Sequence, residues 1–154
     1  TALAVSAAAP VGRRYYWRVR VCEGAVCGPW SMVRYVDVGR VANDVNGDGY
    51  ADVVVGAPNY DAVELNEGNA FIYFGSASGI PAAPSMTLDN PADQASGSFG
   101  ASGAIAGDLN GDGYADLVVG ALYQDAGAMD EGNAFVYLGS AAGVPTTPST
   151  EPSE

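Results

Sequence analysis

Asp44-Val45-Asn46-Gly47-Asp48-Gly49-Tyr50-Ala51-Asp52 returns with one residue changed as Asp108-Leu109-Asn110-Gly111-Asp112-Gly113-Tyr114-Ala115-Asp116. Sliding the sequence over itself by 64 positions aligns 44–85 with 108–149 without a gap, and 27 of the 42 positions are identical. Self-similarity at a fixed period means a stack of like units. Each copy goes on to a short apolar run bounded by Gly: Val53-Val54-Val55-Gly56-Ala57, then Leu117-Val118-Val119-Gly120-Ala121. An acidic loop follows, then Gly68-Asn69-Ala70-Phe71-Ile72-Tyr73 or its counterpart from Gly132. These runs have strand length and β-branched or aromatic character, and none is long enough for a helix. Residues 98–106 add a strand ahead of the second copy, and Met86-Thr87-Leu88 closes the first with a weak one. Four short strands in about 64 residues make a sheet too small to stand alone, so neighbouring sheets must stack. The expected class is all-β.

Composition narrows the function. The 154 residues contain no His and no Lys, which removes imidazole bases, Ser/His and Cys/His pairs, His-ligated zinc and lysine-based Schiff bases. A net charge of −12 opposes nucleic acid, whose binding rests on clustered positive charge. Gly and Asp interrupt every apolar stretch before the roughly 20 residues of a membrane span, so no membrane insertion is expected. Thr1 begins neither a start Met nor a basic cleavable signal, and the chain reads as a mature or excised piece. Charge is uneven: six Arg against two acids give residues 1–40 a charge of +4, and the rest sums to −16.

The repeated loop is the strongest chemical signal. Asp44, Asn46 and Asp48, and again Asp108, Asn110 and Asp112, place oxygen ligands at positions 1, 3 and 5, with Gly at 6 for the sharp bend. The seventh residue, Tyr50 or Tyr114, supplies a carbonyl. Position 12, where an EF-hand has its acidic ligand, is Val55 or Val119, so Asp52 and Asp116 at the ninth position must close the cage. Two calcium sites are expected. A metal-free turn is the competing reading, since Asp, Asn and Gly favour turns without a ligand.

Phe99-Gly100 followed by Gly120-Ala121, Gly56-Ala57-Pro58 in the first copy and the DxNGDGxxD loops between them resemble the FG-GAP repeat of integrin α-subunit β-propellers over residues 35–145. The resemblance implies two blades of four-stranded antiparallel sheet, at 39–95 and 96–145, with calcium loops joining strands. Two blades cannot close a propeller, which takes roughly 4 to 8. The first copy has Tyr35-Val36 where the second has Phe99-Gly100, so its opening strand is degenerate, and the second lacks its last strand.

Residues 1–38, with Tyr15-Tyr16-Trp17-Arg18-Val19-Arg20 and later Gly28-Pro29-Trp30-Ser31, resemble the last strands of a fibronectin type III domain. The segment reads as a hairpin whose aromatics are expected to pack across the strands. Cys22 and Cys27 are spaced for a disulfide across it. Residues 146–154 are a Pro, Ser and Thr-rich tail. Asp61, Glu67, Asp125, Asp130 and Glu131 raise the question of a carboxylate pair for glycoside hydrolysis. Their recurrence at the repeat spacing favours solvated loop tips, and no enzyme is expected.

The functional expectation is an extracellular, calcium-binding structural protein completed head to tail by another copy or by flanking blades. The alternative is an adhesin-type module for a protein or glycan ligand. A carbohydrate-active enzyme is the weakest option.

Overall fold

The computed structural model describes residues 13–38 and 41–149. Ten strands and no helix make up the described residues, in four antiparallel groups. None of these residues forms a helix long and apolar enough to cross a membrane.

The N-terminal segment is one long interrupted hairpin. β1 (Arg13–Trp17) pairs with β4 (Arg34–Val38), in continuous register from Arg13↔Val38 to Trp17↔Arg34. The tip is β2 (Cys22–Glu23) against β3 (Val26–Cys27), turned by Gly24 at φ +59° and joined by the Cys22–Cys27 disulfide. Between these pairs Gly28 N donates to Val21 O and Ser31 N to Val19 O. The expectation that the aromatics pack away fails for three of them: Tyr16 is 66%, Trp17 47% and Trp30 46% exposed. A lone hairpin has no second layer to bury them. Arg18 and Arg20 instead each lie over the Trp30 ring, 4.5 Å from its centroid. Residues 1–12 and 150–154, the Ala-rich start and the end of the tail, lie outside the described residues.

Each repeat copy forms its own sheet. The first contains β5 (Val53–Ala57), β6 (Asn69–Tyr73) and β7 (Met86–Asp89), and the second β8 (Phe99–Gly107), β9 (Asp116–Ala121) and β10 (Asn133–Tyr137). The antiparallel all-β class stands, but each sheet has three strands among the described residues rather than four. In the first blade the degenerate opening strand, β4, pairs with β1 instead. In the second, Ser149 N reaches Val136 O at 2.7 Å as Ser85 N reaches Ile72 O at 2.8 Å just before β7, but the residues that would form the closing strand lie beyond 149.

The two sheets stack face to face through β8, which lies across β5 and β6. Blade 1 contributes Ala70, Ile72 and Leu88 to the shared core, and blade 2 contributes Phe99, Leu117, Val119, Phe135 and Tyr137. Phe99 and Phe135 meet edge to face at 5.6 Å. Burying a side chain of this size is worth about 1.5–3 kcal/mol, so this layer supplies the apolar burial that neither small sheet has alone.

Candidate metal centre and blade interface

Both DxNGDGxxD loops wrap around their first aspartate. Asp44 Oδ1 accepts from Gly47 N at 2.7 Å and Asp48 N at 3.2 Å, while Oδ2 accepts from Gly49 N at 2.8 Å. Asp108 makes the same three bonds to Gly111, Asp112 and Gly113 at 2.8, 3.1 and 3.1 Å. Asn46 Oδ1 accepts from Asp48 N, and its Nδ2 donates to Asp48 Oδ2 at 2.9 Å; Asn110 and Asp112 repeat both contacts. Tyr50 N and Tyr114 N donate to Asp48 Oδ1 and Asp112 Oδ1, each at 2.9 Å. The sequence therefore programmes one loop twice, in bond-by-bond agreement.

Asp52 holds a position that spacing alone did not reveal. Its Oδ2 accepts from Val45 N and its Oδ1 from Gly75 N, both at 2.8 Å, so it staples the start of the loop to the end of the blade's second strand. Asp116 does the same for Leu109 N at 2.6 Å and Gly139 N at 2.8 Å. Burial raises the Asp52 carboxyl above its usual range; the Gly75 and Val45 amides pull the other way, and the charges of Asp44 and Asp48 add to the rise. Three carboxylates are thus close enough to repel. Among the described residues no group of three acidic side chains is gathered around one point. The donor chemistry nonetheless fits a hard cation: Asp44, Asn46 and Asp48 present side-chain oxygens, and Asp44 Oδ2 and both Asp48 oxygens each accept one hydrogen bond and keep a second lone pair.

The other acidic residues organise their own loops. Glu67 Oε1 accepts from Ala62 N and Val63 N, and Asp61 Oδ1 from Asn66 N. In the second copy Asp125 accepts from Asp130 N and Glu131 from Ala128 N. These bonds give the recurring carboxylates a structural task in both blades.

At the blade interface, main chain meets main chain. Phe99 N donates to Glu67 O at 2.8 Å, Ser98 N to Asn66 O and Ser96 N to Leu65 O. A Cβ on Gly56 would come within 1.9 Å of Gly100 O, and one on Gly100, at φ +84°, within 2.3 Å of Asn69 O. The Phe-Gly of one blade and the Gly-Ala of the blade before it are therefore two halves of a single contact. Across the same interface Ala115 N donates to Asp44 O and Ser140 N to Val45 O, so blade 2 clamps the first DxNGDGxxD loop. Sequence reasoning found these glycines as a motif and missed this use of them; the offset of 64 between Gly56 and Gly120 was the available signal.

Small three-stranded sheets stacked about such a contact are units of the β-propeller class. Residues 44–119 match the family model described as FG-GAP-like repeat. Integrin alpha-7 of Rattus norvegicus is 36% identical over 107 residues, 69% of this chain and 9% of the relative. Integrin alpha-IIb of Mus musculus is 35% identical over 123 residues, covering 77% and 12%. Integrin alpha-PS3 of Drosophila melanogaster is 37% identical over 115 residues, covering 75% and 10%. The chain carries an FG-GAP repeat segment similar to those of integrin alpha subunits, and it spans about a tenth of the length of these relatives.

Proposed function

We propose that this protein is an extracellular, non-enzymatic building block of a larger surface assembly, a filament or a multi-blade propeller. Calcium rigidifies its loops, and its exposed blade face is completed head to tail. The observation that carries the reading is the asymmetry between equivalent residues. Ala70 is 0% exposed beneath blade 2, while Ala134, its equivalent 64 residues on, is exposed; Val45 is 1% exposed and Leu109 57%. A face built to the same pattern as a buried one, yet open, is an edge awaiting a partner. The Cys22–Cys27 disulfide agrees with an oxidising compartment.

In each loop Asp44, Asn46, Asp48, the Tyr50 carbonyl and Asp52, or Asp108, Asn110, Asp112, the Tyr114 carbonyl and Asp116, would hold one Ca²⁺. The ion would relieve the repulsion among their carboxylates. The test of completion is an added blade. A second copy of residues 86–149 joined after Ser149 should raise the melting temperature and protect the amides of 131–134 from hydrogen exchange. Unchanged exchange there would sink the reading.

One observation favours a second reading, an adhesin-type module. Tyr16, Trp17 and Trp30 stand exposed on the hairpin, with Arg18 and Arg20 over the indole. Exposed aromatics of this kind suit a protein or glycan ligand. A specific glycan-array hit that is lost with Trp30→Ala would favour it.

A further inference from the structure

The chain contains two Asn-Gly steps, Asn46-Gly47 and Asn110-Gly111, one in each DxNGDGxxD loop. Asn-Gly is the step most open to spontaneous deamidation, because glycine places no side chain in the way of its own amide nitrogen. That nitrogen attacks the asparagine Cγ and a new C–N bond closes a five-membered ring. The Cγ–Nδ2 bond breaks, and ammonia leaves with the proton that the glycine nitrogen gives up. Water then opens the succinimide at either carbonyl, leaving aspartate or isoaspartate, and is the only co-reactant. In both loops the attack has to wait until the loop opens. Asn46 Oδ1 accepts from Asp48 N, its Nδ2 donates to Asp48 Oδ2, and Gly47 N is held on Asp44 Oδ1 at 2.7 Å. Asn110 and Gly111 repeat these bonds on Asp112 and Asp108. The residues that react are the same, so the cost of local opening sets the difference in rate.

That cost differs between the loops. A Cβ on Gly47 would lie 2.5 Å from the Tyr114 ring, so an aromatic side chain of blade 2 covers the first step; nothing comes within 4 Å of the same point on Gly111. Ala115 N and Ser140 N hold the first loop by its Asp44 and Val45 carbonyls. Asn46 and Gly47 are half-buried, and Asn110 and Gly111 exposed. We infer that Asn110 is a spontaneous modification site, deamidated through Gly111, and that Tyr114 and the rest of blade 2 protect Asn46 from the same reaction. The product alters the loop. Conversion to aspartate replaces the Nδ2 that donates to Asp112 Oδ2 at 2.9 Å with a carboxylate oxygen, turning a hydrogen bond into a contact between like charges. Isoaspartate also takes the former side-chain carbonyl into the main chain, which removes the acceptor of Asp112 N. The uncovered loop therefore gains negative charge with age and the covered one does not.

The test incubates the full chain in mildly alkaline buffer with a chelator, which makes the outcome independent of calcium, and follows both sites over time by peptide mass spectrometry. Aspartate plus isoaspartate should accumulate at position 110 roughly tenfold faster than at 46, or more. In denaturant, where both loops are open, the two rates should agree within about twofold. Equal rates in the folded chain overturn the inference. So does a ratio in denaturant as large as in the folded chain, which would assign the difference to the preceding residues, Val45 and Leu109, rather than to the fold. Tyr114→Ala, compared while amide exchange shows β5 to β10 still protected, should speed conversion at 46 and narrow the ratio, and Tyr114→Phe, which keeps the ring, should not. An unchanged ratio in the folded Tyr114→Ala chain overturns the role given to the ring.

Discussion

The two blades share most of their sequence and differ in what lies on top of them. Glu67, Asn69 and Ala70 are buried by β8 of the following blade, whereas Glu131, Asn133 and Ala134 are exposed or half-buried. The other face reverses the order. Leu117 and Val119 are 1% and 0% exposed against blade 1, while Val53 and Val55, at the same places in blade 1, are 41% and 46% exposed. Burial in a stacked repeat is thus a property of position in the stack, and the sequence of a single copy cannot encode it. Internal hydrogen bonds behave differently: the loop bonds of Asp44 and the staple of Asp52 recur at Asp108 and Asp116 wherever the copy sits.

The largest effect is expected from Phe99→Ala. It empties the centre of the shared layer, so a cost of about 3–5 kcal/mol is expected, read as a lower midpoint in chemical denaturation. Both blades should unfold together at that lower midpoint, since neither sheet buries enough apolar surface alone. A single unchanged transition would mean that the stack is not the source of stability.

Calcium removal comes next. If both loops bind only in the folded state, each site adds about 2.7 kcal/mol at a hundredfold excess over Kd. Chelation should therefore lower Tm, and Asp48→Asn and Asp112→Asn should each remove part of the shift. The two variants should differ because, among the described residues, only the first loop is clamped by a neighbouring blade, through Ala115 N and Ser140 N. Asp112→Asn should loosen its loop more than Asp48→Asn, as read by amide exchange.

The glycine pair tests the interface with a smaller effect. Gly56→Ala forces a methyl against the Gly100 carbonyl and should cost about 1–3 kcal/mol. Gly120→Ala meets the Ser102 hydroxyl, a side-chain atom able to rotate away, and should cost about 1 kcal/mol or less. Equal costs in thermal melts would contradict the reading of Gly120 as a vacant equivalent.

Much of this was legible in the residues. The repeat offset, the strand-length runs and the Cys22–Cys27 pairing follow from local pattern, because a strand, a turn and a short disulfide are specified by neighbours in the chain. The DxNGDGxxD loops were legible as a repeated tight turn for the same reason. The staple by Asp52 was not, since its partner Gly75 lies 23 residues away and nothing in the spacing distinguishes a ligand from a hydrogen-bond acceptor. The exposure of Trp17 and Trp30 was missed because alternation tells which residues share a face and not whether anything covers it. Tyr35-Val36 was legible as a degenerate motif, but its pairing with β1 was a choice between two partners that only the folded chain displays.

The smallest expected effect is the most diagnostic of position in the stack. Leu109 occupies the place of Val45, which is buried where Ala115 and Ser140 of the next blade close over its loop. At 57% exposure Leu109 loses little on replacement, and Leu109→Ser should change stability by no more than about 0.5 kcal/mol. In the chain extended by a further blade, the same side chain should lie beneath the new loop, and the same substitution should then cost about 1.5–3 kcal/mol. Denaturation of both chains with and without Leu109→Ser isolates that difference, because everything local to the substitution cancels. A penalty that grows on extension places Leu109 in a completed interface. An equal penalty in the two chains would mean that the added blade folds without stacking, and that the likeness between the two faces is one of sequence alone.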